Sequence, residues 1–158
     1  MKKEKLTDIA IKFHQAIVTA KKNRAFHYYD RMSRFPFGCC DDVADLFAHY
    51  LYHEYGIISL RVDGSYYDEN SANNCSHSWQ EIGDLIIDLT GSQFINDPVL
   101  LNYSKEVYVG SIDEFHMLFE IDNRKPSRGI EDLNERCWGR MNGLYKNKNP
   151  DLHTVCKK

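Results

Sequence analysis

Two adjacent cysteines, Cys39 and Cys40, follow a Pro/Gly-bearing turn, Phe35-Pro36-Phe37-Gly38, and stand where an amphipathic helix begins. That helix is read from Val43, Leu46, Phe47 and Leu51, apolar residues recurring at helical spacing. The first N–H groups of a helix have no internal partner and carry the positive end of its dipole. A thiolate is stabilised there, and a cysteine pKa falls from about 8.5 to roughly 3.5–7.5 beside such a terminus or a protonated His. The same N–H groups can hold the oxyanion of an attacked carbonyl. The chemistry so signalled is attack by sulfur on an acyl carbon. It also needs a base of near-neutral pKa to take the thiol proton and return it to the leaving group, and an acidic partner to hold that base in the correct tautomer.

A base and a carboxylate come from one hairpin. Ser76-His77-Ser78-Trp79-Gln80-Glu81-Ile82, the pair Gly83-Asp84, and Leu85-Ile86-Ile87-Asp88-Leu89 read as two antiparallel strands joined by a two-residue turn. With Gly83 and Asp84 as the loop, Ile82 faces Leu85, Trp79 faces Asp88 and His77 faces Thr90. His77, Trp79, Glu81, Ile86, Asp88 and Thr90 then share one side. Ser78, Gln80, Ile82, Leu85, Ile87 and Leu89 form the more apolar side, expected to face the core. His77 and Asp88 become diagonal neighbours, about 7–8 Å apart at the backbone and within side-chain reach. Trp79, on the face of His77, is placed to shield an ion pair from water.

Phe35-Pro36-x-Gly38-x-Cys40, the helix after it, His77-x-Trp79 and Ile87-Asp88-Leu89-Thr90-x-x-Gln93-Phe94 together resemble the transglutaminase-like branch of the papain-fold cysteine enzymes. The resemblance spans roughly residues 34–94. It implies an α+β fold in which a helix bearing the nucleophile packs on an antiparallel sheet bearing His and Asp. It also implies Cys40 as nucleophile, His77 as general base and Asp88 as orienting carboxylate. Its spacing favours Cys40, with Cys39 the alternative nucleophile, since neighbouring residues at a helix start point roughly 100° apart and only one can aim at His77. The resemblance keeps Gln93, whose expected part is hydrogen bonding near the site. Asp41 and Asp42 suit a helix N-terminus, but if unpaired they raise the pKa of a neighbouring thiol.

The remaining elements position this set. Leu6, Ile9, Ala10, Phe13, Ile17 and Ala20 predict an amphipathic helix over residues 5–22. A loop over 23–38 leads to the cysteine helix, which is expected to end near Gly56. Ile57–Val62 predicts a strand, Asp63–Asn74 a surface loop, Asn96-Asp97-Pro98 a turn and Val107–Val109 a strand. Ser111 and Glu114, at capping-box spacing, predict a short helix with Ile112, Phe115, Leu118 and Phe119. Asp122–Gly129 reads as a charged loop around Pro126. Ile130, Leu133, Cys137, Met141 and Leu144 predict a last helix, followed by a frayed end from Lys146.

The chain has 158 residues, 42% hydrophobic and 13% aromatic, which suits one globular domain over residues 1–158. A net charge of −3 and no basic stripe argue against nucleic acid as a partner. No unbroken apolar run signals a membrane span or a signal peptide. Five cysteines without framework-like spacing fit a reducing cytoplasm, where thiols are available for chemistry.

The expected function is thiol-dependent acyl chemistry on an amide of a protein or peptide substrate: peptidase, glutamine deamidase or transglutaminase. This mechanism requires no metal or organic cofactor. Two other readings stand beside it. One is a non-catalytic protein-binding module on the same fold, in which each cysteine packs in the core, His77 is a hydrogen-bonded strand residue and Asp88 an edge charge. The other is a zinc-binding domain using Cys39, Cys40, Cys75 and His77, although adjacent ligands and a Cys-x-His pair are poor spacings for a tetrahedral site. His49 and His53, at i and i+4, have Tyr50 where a zincin would carry Glu, and read as a solvated or half-buried pair.

Overall fold

A computed structural model describes residues 1–70, 74–127, 140 and 144. Helix α1 (Lys3–Lys22) buries Leu6, Ile9, Ala10, Phe13, Ile17 and Ala20, the stripe its periodicity announced. Helix α2 (Cys40–Tyr55) has Cys39 as N-cap and ends at Gly56, whose φ of 64° is the left-handed conformation that closes helices. Strands β1 (Ser59–Tyr67), β2 (Asn74–Ile82), β3 (Leu85–Asp88), β4 (Tyr108–Gly110) and β5 (Glu120–Ser127) form one antiparallel sheet in the order β4-β3-β2-β1-β5. The architecture is α+β: two helices packed on a five-stranded antiparallel sheet. Among the described residues, no helix is long and apolar enough to cross a membrane.

The β2–β3 hairpin has the register expected from its turn, with Ile82 paired to Leu85, Glu81 to Ile86 and Gln80 to Ile87. Gly83 supplies the positive φ of 57° that this turn requires. The ladder stops at Gln80 and Ile87, and the next residue, Asp88, pairs instead with Tyr108 of β4.

Both faces of the sheet are buried. Ile87, Leu89 and Val109 join the helices in one core, with Ile82 and Leu85 packed against it. Val62, Trp79 and Ile86 face the other way, onto Leu100, Tyr103, Phe115 and Phe119. That second cover comes from segments with little regular structure, the short 3-10 turns Gly91–Phe94, Pro98–Leu100 and His116–Leu118 among them. The side of the hairpin carrying His77 is therefore as dry as the side facing the helices. Trp79 is 1% exposed.

Three expectations from the sequence need correction. Asp63–Asn74 is not all loop: β1 continues to Tyr67 and β2 starts at Asn74, because Asp63–Tyr67 finds backbone partners in β2 and Asp63–Ser65 in β5 as well. Asp122–Gly129 is not a loop as far as Ser127, since residues up to Ser127 belong to β5, an edge strand exposed along Glu120–Pro126. Edge position explains its charged composition and lets Pro126 pair opposite Leu60 without a second neighbour to satisfy. The helix expected after Ser111 is only the turn His116–Leu118, whose first N–H, that of His116, donates to Asp113 Oδ1 at 3.0 Å. Of the expected helix over 130–144 and the end after Lys146, only Arg140 and Leu144 are among the described residues.

Candidate active site

Cys40 is the first residue of α2. Cys39 offers no side-chain cap to the N–H groups of that first turn, and the first bond back along the helix is Val43 N–H to Cys39 carbonyl at 2.9 Å. The dipole end beside the Cys40 sulfur is therefore left unneutralised by a capping side chain. Cys40 is half-buried and its thiol is hydrogen-bonded to the His77 imidazole. Burial alone would raise its pKa, but the hydrogen bond and charge of His77 outweigh that, and the Cys40 thiol lies below the ordinary range.

His77 lies on β2 and is 0% exposed, with Asp88 at the end of β3 1% exposed. The ring donates from Nε2 to Asp88 Oδ2 at 2.7 Å. Burial works against the imidazolium, yet the Asp88 charge and hydrogen bond, together with Cys40, push His77 up to about 9. Asp88 is held far below the usual carboxylate range: burial opposes its charge, but His77 and hydrogen bonds from His77 and His116 more than offset it. Its other oxygen, Oδ1, accepts from Thr90 N–H at 2.9 Å and from Thr90 Oγ1 at 3.3 Å. The rings of Trp79, Phe94, Phe115 and Phe119 surround His77 with centroids 5.2–5.7 Å away. In so dry a setting each of these charges interacts more strongly than it would in water.

Gln93 follows on the 3-10 turn after Asp88, and its amide nitrogen stands 3.3 Å from His77 Nδ1. A cleft of about 320 Å³ opens over Cys40, bordered by Gly38, Gln93, Ser78 and the ion pairs Arg31–Asp41 and Arg61–Asp63. Asp41 and Asp42 are paired: Arg31 lies 3.2 Å from Asp41 and 2.8 Å from Asp42, and Arg140 holds Asp42 at 2.6 Å.

Cys39 points elsewhere. It is 0% exposed in the core beneath the helices, and burial, followed by the charges of Asp42, Cys40 and Asp41, pushes its thiol up to about 12. The structure thus brings Cys40, His77, Asp88, Gln93 and Trp79 together and leaves Cys39 outside the group. Cys39 and Cys75 sit in different cores, on opposite faces of the sheet, so the four side chains weighed as zinc ligands do not converge. The rings of His49 and His53 on α2 lie tilted against each other with centroids 4.0 Å apart, and burial, followed by the charge of His53, pushes His49 down to about 4.

One residue of this cluster escaped the sequence. His116 is 1% exposed, and its Nε2 reaches Asp88 Oδ2 at 3.3 Å while its Nδ1 reaches Asp113 Oδ1 at 2.6 Å. The one available signal was the Asp113-x-x-His116 spacing, which marks a local turn and nothing about Asp88. The donor atoms of His77, Asp88 and His116 lie within 4.8 Å of one another, close enough to consider a metal ion. Two ligands on one tetrahedral zinc, each at about 2.0–2.1 Å, stand roughly 3.3 Å apart. The 2.7 Å between His77 and Asp88 is shorter than that and has the length of a charge-assisted hydrogen bond. At that contact His77 and Asp88 share a proton.

Compared with protein-family models, curated proteins and solved structures, the chain matches none.

Proposed function

We propose that this protein is a cysteine acyl-transfer enzyme of papain-like, transglutaminase-like type, acting on an amide of a protein or peptide. The observation that carries the reading is the continuous chain from the Cys40 thiol through His77 to Asp88, with the sulfur at an uncapped helix N-terminus and the other two side chains fully buried.

In the proposed reaction the Cys40 thiolate attacks the carbonyl carbon. The oxyanion is held by the Cys40 backbone N–H and the Gln93 side-chain amide, donors of a kind each worth about 10²–10³ in rate. As the C–N bond breaks, His77 gives its proton to the departing amine, leaving a thioester on Cys40. Water or an amine then attacks that thioester and passes a proton to His77, the C–S bond breaks, and the thiolate returns. Asp88 stabilises the imidazolium throughout and holds its tautomer. A thiol kept reactive in this way suits a reducing compartment such as the cytoplasm, and Cys39, Cys40 and Cys75 are all unpaired with one another.

Intact-mass analysis after exposure to glutamine-mimicking and peptide chloromethyl ketones tests the reading. One equivalent is expected on Cys40, with the preferred probe reporting the amide class, and little on Cys40 in a His77→Ala variant. Slow labelling spread evenly over the cysteines would speak for a non-catalytic binding module instead.

A further inference from the structure

His116 is a second buried imidazole on the same carboxylate, and the thiol-to-imidazole reaction does not use it. Both its ring nitrogens face carboxylate oxygens, Nε2 toward Asp88 Oδ2 at 3.3 Å and Nδ1 toward Asp113 Oδ1 at 2.6 Å. Both contacts are hydrogen bonds only when each nitrogen carries a hydrogen, which makes the ring a cation wedged between two anions. Asp88 Oδ2 is then shared by two imidazolium donors, His77 and His116. Every charge His116 places on Asp88 is charge that Asp88 no longer directs at His77.

The geometry points to His116 as a positioning residue that acts through Asp88, orienting its carboxylate and limiting how tightly His77 holds its proton. The inference rests on the acyl-transfer reading of Cys40, His77 and Asp88. A general acid that must give its proton to a leaving amine works best when its proton is not held too firmly. An imidazole partnered in a dry site by an undiluted carboxylate would hold it more firmly than one whose carboxylate is shared.

The neighbouring phenols add no anion to the ion chain across the working range. From the loops, Tyr103 donates its hydroxyl to Asp113 Oδ2 at 2.9 Å, and Lys105 Nζ lies 3.7 Å from the same oxygen. From β4, Tyr108 stacks on the His116 ring at 5.4 Å. Burial and Asp113 raise both phenols above the ordinary tyrosine range, so neither adds an anion below it. From β2 comes His77, 6.4 Å between ring centroids, with Cys40 of α2 beyond it. Asp113 itself is held below the usual carboxylate range: burial opposes its charge, and hydrogen bonds from His116 prevail.

The test is the pH profile of iodoacetamide alkylation at Cys40, followed by intact mass, for the wild type, His116→Gln and Asp113→Asn. In the wild type the rate has a low-pH step as the thiolate–imidazolium pair forms and a high-pH step as His77 loses its proton. His116→Gln keeps a neutral donor toward Asp88 and removes the cation. Asp113→Asn keeps the ring and removes the carboxylate that its Nδ1 faces. Both variants are expected to move the high-pH step upward by about half to one pH unit, a threefold to tenfold tighter hold on the His77 proton. A purely structural role would lower stability in a melt and leave that step where it was. Asp113 is the less buried position, so Asp113→Asn keeps the test available if His116→Gln does not fold. A high-pH step unmoved or lowered in folded variants overturns the proposal for His116 alone. A wild-type profile with no low-pH step at Cys40 overturns the acyl-transfer reading as well.

Discussion

Replacing Cys40 by Ser is expected to lower turnover of the preferred amide substrate by about 10⁴-fold or more, because a serine hydroxyl in this setting has no accessible anion to attack with. The neighbouring Cys39→Ala is expected to keep activity within a few-fold of the wild type. The contrast follows from burial and charge. Cys40 opens the helix, meets the cleft and is hydrogen-bonded to His77. Cys39, one residue earlier, is sealed in the core with its thiol pushed up to about 12, so that almost none of it ionises at neutral pH. Its loss removes one small buried group from the core, a packing change with a cost in stability. Steady-state product release by the two variants, each at matched folded concentration, checks the assignment. Activity surviving in Cys40→Ser and lost in Cys39→Ala would reverse it.

His77→Ala carries the second largest expected effect, a loss of about 10³–10⁴ in turnover. Three contributions fall together. The leaving amine loses its acid. The Cys40 thiol loses the hydrogen bond and charge that bring it below the ordinary range, so burial and Asp41 then raise it instead. Asp88 is left buried with His116 as its remaining imidazole partner, and removing one partner from a buried ion pair is costly because the other charge stays behind. The sign of the pH response follows. Wild-type activity persists up to the region where His77, raised to about 9, gives up its proton, whereas in the variant the thiol must ionise unaided and residual activity keeps rising with pH. Single-turnover acylation by the preferred chloromethyl ketone across that range separates the two shapes.

The parts of this site that were legible from the chain alone are those set by local rules. Helical spacing from Val43 to Leu51 and the glycine at 56 fixed where α2 runs, and so where Cys40 sits. The two-residue turn at Gly83-Asp84 fixed the parity of the hairpin, and with it the meeting of His77 and Asp88. What resisted is decided by contacts distant in sequence. Glu120–Ser127 is polar because it forms an edge of the sheet, Asp63–Tyr67 begins with Asp, Gly and Ser although β1 lies between β2 and β5, and a polar strand is indistinguishable from a loop until its neighbours are known. The cover over His77 is assembled from Phe94, Phe115 and Phe119 on irregular segments with no period to read. His116 lies 28 residues from Asp88, and nothing local links them. The pairing of Asp41 and Asp42 with Arg31 and Arg140 is likewise tertiary, and Asp41 still acts to raise the Cys40 thiol despite it.

In the proposed reaction the Cys40 sulfur is already ionised beside a protonated His77 at neutral pH. The deciding measurement is thiolate ultraviolet absorbance titrated with pH in the wild type, with the Cys40→Ser signal subtracted. A single thiolate is expected, present well below the free-cysteine value of about 8.5. A difference signal that first appears at or above that value would contradict it.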